Sequence, residues 1–130
     1  MPELLVPTSP GELVDKITIL RIKSERIGDA QKLANVRAEL AALEATWQAS
    51  GLASNAIDAE IAALYAVNAR LWVIEDDIRE CERRADFGAE FIRLARAVYI
   101  ENDERAAIKK RINVALGATL VEEKSYAKYR

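Results

Sequence analysis

Residues 64–81 read Leu64-Tyr65-Ala66-Val67-Asn68-Ala69-Arg70-Leu71-Trp72-Val73-Ile74-Glu75-Asp76-Asp77-Ile78-Arg79-Glu80-Cys81. Leu64, Val67, Leu71, Ile74, Ile78 and Cys81 recur at three- and four-residue intervals, which aligns them on one stripe of an α-helix and does not fit the two-residue period of a strand. Outward from this stretch the helix extends from about Ala56 to Arg84. Asp58 and Glu60 lie near its start and Arg83 and Arg84 at its end, each sign where the helix dipole favours it. Asp86-Phe87-Gly88 then forms the turn.

Downstream, Phe91, Leu94 and Val98 predict a helix from Ala89 to Ile100. Glu101-Asn102-Asp103-Glu104 reads as a new start with Asn102 as its cap, giving a fifth helix through Ile108, Ile112 and Ala115 to Leu116. One kinked helix is the alternative. Gly117 stops it and leaves a tail, 117–130. Upstream, Leu33, Val36, Leu40, Leu43 and Trp47 mark a helix from Ala30 to Ser50 with seam-like spacing. Before it, Ser9-Pro10-Gly11-Glu12 reads as a capping box that opens a helix to about Ile27, carrying Leu13, Ile17 and Leu20. Gly28-Asp29 is a stop and a new cap. Residues 1–8, with Leu4, Leu5 and Val6 between two prolines, read as an extended arm suited to an apolar groove.

Short turns between successive helices favour antiparallel neighbours. The sequence therefore predicts an all-α, up-down antiparallel bundle of four to five helices, one domain over residues 1–130. At ~1.5 Å per residue the third helix spans roughly 43 Å, against about 27 and 31 Å for the first two. Ile57 and Ile61 then sit on an overhang that needs cover, and the length mismatch favours a homodimer.

The 130 residues suit one domain, with a folded surface of roughly 6,900 Å² by size scaling. Basic residues number 19 and acidic residues 21, interspersed, which disfavours a nucleic-acid partner. No apolar run approaches the ~18 residues of a membrane span. A single cysteine, Cys81, and an N-terminus without a signal-peptide pattern fit a cytoplasmic protein. Cys81 itself reads as a buried thiol. Histidine is absent altogether. This removes the commonest general base and transition-metal ligand, so no cofactor or metal is expected unless carboxylates hold Mg²⁺.

A second stripe, Tyr65, Asn68, Trp72, Glu75 and Arg79, is not simply core. Folding back about Asp86 sets Asp76 level with Arg96, and Trp72 level with Tyr99. The expected result is a polar band of Trp72, Asp76, Arg79, Arg96, Tyr99, Asn102, Asp103 and Arg105, whose arginine forks match a small anionic ligand. The same residues also fit an interhelical salt-bridge network closed by two aromatics. The pairs Glu12/Asp15, Asp77/Glu80 and Glu101/Glu104 each place two acids on one face. All-α nucleoside-triphosphate pyrophosphohydrolases use such pairs to hold Mg²⁺, and the likeness ends at that spacing. Helical chorismate mutases place basic residues on an N-terminal helix, as Lys16, Arg21, Lys23 and Arg26 are placed here, but no matching set follows.

The stretches Ser9–Leu20, Leu71–Arg79, Asn102–Lys109 and Leu120–Tyr126 resemble a family of small, all-helical bacterial proteins to which no activity is assigned. The resemblance implies an association with surface-polysaccharide metabolism and a tail that belongs to the fold, and it transfers no catalytic residue. Two readings follow. The first is a non-catalytic interaction or anionic-ligand-binding module with a protein partner or small ligand. The alternative is a small Mg²⁺-dependent enzyme acting on a phosphorylated or nucleotide substrate.

Overall fold

The computed structural model describes residues 2–120 and 122–129; Met1 of the expected arm and Val121 and Arg130 of the expected tail lie outside them. Among the described residues the protein is an all-α bundle of four helices: α1 (Pro10–Arg26), α2 (Ala30–Ala49), α3 (Asp58–Arg83) and α4 (Ala89–Ala115), with a 3-10 turn at Asn55–Ile57 leading into α3. The caps form at Ser9 and Asp29, though the Glu12 carboxylate turns to Lys109 and not back to the Ser9 amide as a full capping box would. Ser9 Oγ accepts from the Glu12 amide and Pro10 opens α1, while Asp29 accepts from the Lys32 amide to open α2.

The break expected at Asn102 does not occur. α4 runs unbroken through it, because tertiary partners outweigh local capping preference. Glu101 is held by Arg70 of α3 at 3.0 Å and Arg105 by Asp15 of α1, so both turns flanking Asn102 are fixed in helical geometry. The Arg70–Glu101 pair also sets the antiparallel register of the α3–α4 hairpin, folded about Asp86 as the sequence predicts.

α1 packs against α2, α3 and α4, whereas the backbone of α2 comes close to that of α1 alone and reaches the rest of the core through side chains such as Trp47. The difference shows in burial. Val14, Ile17, Leu20 and Ile22 of α1 are buried, together with Gly11, Asp15 and Thr18. On α2 only Trp47 is buried, and Leu33, Val36, Leu40 and Leu43 are half-covered. Val14, Ile17, Trp47, Ile57, Leu64, Val67, Leu71, Ile108 and Ile112 form one core. Ile57 is fully buried there and Ile61 packs against it, so the supposed overhang is covered within the chain and no longer argues for a dimer. Leu4, Leu5 and Val6 are exposed and occupy no groove. Arm, tail and one-sided α2 explain a surface of 8,791 Å² against the ~6,900 Å² of a compact chain. No helix among the described residues is long and apolar enough to cross a membrane.

α1 enters the bundle through a close approach. A Cβ on Gly11 would lie 2.7 Å from the Lys109 carbonyl oxygen and 2.9 Å from Asn113 Oδ1. That oxygen accepts from the Gly11 amide at 2.7 Å, so α4 caps α1 from the side. The helix ends differ in how they turn. Both α3 and α4 close with a left-handed residue and a six-to-one backbone bond: Asp86 N–H to Cys81 O after Ala85, at φ 53°, and Ala118 N–H to Asn113 O after Gly117, at φ 67°.

Glycine suits that conformation and alanine does not. Ala85→Gly is therefore expected to stabilise the fold by about 0.5–1 kcal/mol, and Gly117→Ala to destabilise it by about 1 kcal/mol. The measurement is the urea midpoint at unchanged slope. Gly11→Ala, which forces two backbones apart, is expected to cost about 1–3 kcal/mol in the same assay.

Candidate ligand-binding groove

α1 is apolar on almost every side, yet it buries a carboxylate. The Asp15 side chain is only 4% exposed, and a carboxylate so desolvated needs both a countercharge and hydrogen bonds. It has them. Arg105 of α4 grips it with both edges matched, Nε to Oδ1 at 2.9 Å and Nη2 to Oδ2 at 2.5 Å. Asn68 of α3 donates to Oδ1 and to Thr18 Oγ1, each at 2.9 Å. The Thr18 hydroxyl in turn donates to the Asp15 carbonyl oxygen at 2.7 Å. No buried side-chain polar atom is left without a partner among the described residues. The hydrogen bonds it donates to Asp15 raise the Arg105 guanidinium further above its ordinary range, against the opposing effect of burial, so this cation is permanent.

A turn and more along α4, Lys109 is also buried and is shared by two carboxylates, Glu12 and Glu122, each at 2.8 Å. Burial alone would lower the Lys109 ammonium, but the bonds it donates to Glu12 and Glu122 outweigh it and leave it raised. Glu122 is lowered, chiefly by its bond from Lys109. This clamp fixes the root of the tail. Its far end is held by Tyr129, whose hydroxyl donates to Asp103 Oδ2 at 2.7 Å and whose ring meets Tyr99 edge-on at 5.0 Å.

Against the Asp15 network lies a groove of about 520 Å³ lined by Ile19, Asn68, Leu71, Trp72, Glu75, Asp76, Arg79, Asn102 and Arg105. Of the predicted band it therefore assembles Trp72, Asp76, Arg79, Asn102 and Arg105. Tyr99 and Asp103 line a second groove of about 410 Å³, with Val98, Asn102, Lys124, Tyr126, Ala127 and Tyr129. Asn102 belongs to both. Arg96 lines neither and is exposed. Nine residues from Arg105, at ~100° each, place it half a turn around α4. No ion pair joins it to Asp76 among the described residues.

The two groove arginines are held differently. Arg79 is paired with Glu75 one turn back on its own helix, in the open, an arrangement worth little and readily exchanged. Arg105 spends Nε and Nη2 on Asp15, and its other amino group makes no hydrogen bond among the described residues. Each acid pair suggested by spacing is partly committed: Glu12 to Lys109 and Asp15 to Arg105, Glu80 to Arg83, and Glu101 to Arg70. No three carboxylate or thiol groups converge among the described residues. Of the basic residues of α1, Lys16 meets Glu39 and Arg21 meets Glu44 on α2.

Removing Arg105 strands a buried charge, so Arg105→Ala is expected to cost about 3–5 kcal/mol. Arg79→Ala, on an exposed pair, is expected to change stability by less than about 0.5 kcal/mol, with both read from chemical denaturation. The clamp sets a pH window. The lowered Glu122 contributes above its ordinary value of 4.5 and loses its contribution as pH falls through its folded value; the raised Lys109 contributes below 10.5 and loses it as pH rises through its own. Tyrosine near-ultraviolet dichroism should stay flat from about pH 5 to about pH 8.5, below the range near 10 where tyrosines themselves ionise, and show an acid transition that Glu122→Gln lacks.

No family model, curated protein or solved structure matches this chain.

Proposed function

We propose that the protein is a non-catalytic, helical ligand-binding module whose site is the groove between α1, α3 and α4, and that its ligand carries an anionic group. The observation that carries this reading is the juxtaposition of Arg105 and Arg79 in one groove with the Trp72 ring and the amides of Asn68 and Asn102. Arg105 is held rigid by Asp15 with one amino group to spare, which gives a preorganised donor. Arg79 can exchange its intrahelical partner for a ligand oxygen at small cost. Asp76 adds an acceptor suited to ligand hydroxyls. Residues for general acid–base work are scarce, since histidine is absent and the carboxylates at α1 are held in ion pairs. A cytoplasmic setting and a role in surface-polysaccharide metabolism are compatible with this reading, and so is a homodimer.

Thermal denaturation against a panel of nucleotides, sugar nucleotides and sugar phosphates, with and without Mg²⁺, tests it. A ligand at 100 times its dissociation constant stabilises by ~2.7 kcal/mol, a shift of several degrees. The expected result is a Mg²⁺-independent shift that Arg79→Ala abolishes while leaving the unliganded midpoint in place. A shift that requires Mg²⁺ would instead favour the alternative, an enzyme acting on a phosphorylated substrate. No shift with any phosphate would refute anion binding at this groove.

A further inference from the structure

The second groove lies on the adjoining side of α4 and meets the first at Asn102. On α4 the order around the helix is Arg105, Asn102, Tyr99, at ~60° intervals by ideal geometry, so one molecule can reach from the arginine side to the tyrosine side over a single asparagine. The chemistry changes across that ridge. The arginine side offers guanidinium groups. The other offers rings, Tyr99, Tyr126 and Tyr129, with the Asp103 carboxylate and Asn102 amide between them. Tyr126 is 80% exposed although it forms a wall of the groove, and the Lys124 ammonium sits 5.6 Å from its ring centre. The tail supplies this wall, and it is positioned by ties that lie outside the ring-lined surface at Lys109 and at its rim at Asp103.

We infer that the tail-built groove is the second half of the same site and takes the hydroxylated ring of a phosphorylated ligand, whose phosphate lies beside Arg105 and Arg79. This rests on the anion-binding reading of the first groove. Ring faces stack on tyrosine, ring hydroxyls meet Asn102 and Asp103, and Lys124 adds positive charge at the far edge. A nucleoside phosphate and a sugar phosphate share this chemistry. Tyr126, Lys124 and Tyr99 are then the residues that decide which ring is held.

Calorimetric titration with methyl phosphate, uridine 5′-monophosphate and glucose 1-phosphate separates these statements, because the three probes share a phosphomonoester head. At least one ring-bearing probe should bind tenfold or more tightly than methyl phosphate, and which one does so identifies the ring. In Tyr126→Ala, whose altered side chain is exposed, that margin should vanish while methyl phosphate binding is unchanged. Equal binding of all three probes, or a margin that survives Tyr126→Ala, would overturn the second half of the site and leave the first intact. Failure of every probe, methyl phosphate included, would remove both.

Discussion

A carboxylate held inside the central helix sets the terms for the rest of this structure. Asp15 lies where α1 faces α3 and α4 together, and its charge is balanced from both: Arg105 supplies the countercharge and Asn68 the further hydrogen bond. An apolar residue there would pack α1 with more tolerance for sliding. The carboxylate allows one register, because Arg105 matches both oxygens only at one height and one rotation. Gly11 beneath Asn113 fixes the same crossing a turn earlier. Such a buried pair adds little net stability over a well-packed apolar substitute; its service here is to fix position.

That fixed position explains where a site can form. α1 crosses close to α4 at Gly11, Glu12 and Asp15, and the groove beside that crossing is lined by Ile19 of α1, Leu71 and Trp72 of α3 and Arg105 of α4. Tail docking follows from the same crossing. Glu12 is carried to Lys109, and Lys109 has capacity left for Glu122. Core, groove and tail are thus linked through one face of α4, on which Arg105, Lys109 and Asn113 succeed one another four residues apart, as neighbours on a helix do.

Much of this was readable from residue order. The stripe from Leu64 to Cys81, the Ser9 and Asp29 caps and the fold-back about Asp86 follow from period and local chemistry, and they are present. Trp72, Asp76, Arg79, Asn102 and Arg105 were legible as a group because helical spacing and hairpin register place them side by side. The misses have physical causes. Asn102 looks like a cap in isolation, and only contacts from other helices hold it mid-helix. Arg96 was placed by height along α4 without its rotation. Spacing pairs Asp15 with Glu12 on one helical face, although a signal points inward: between Leu13 and Ile22 the apolar residues Leu13, Val14, Ile17, Ile19, Leu20 and Ile22 are spread nearly all round α1, the mark of a central helix. A charge on such a helix must be paired. The partners, Asn68 and Arg105, are 53 and 90 residues away, beyond any local pattern.

The most direct test of this account is a double-mutant cycle between Asp15→Asn and Arg105→Met, read by chemical denaturation. If Asp15 and Arg105 are joined in one buried network, the double variant should be more stable than the two single losses together imply, with a coupling of about 2 kcal/mol or more. Losses that add to within about 0.5 kcal/mol would mean the two residues act independently, and the arrangement of α1, α4 and the groove would need another explanation.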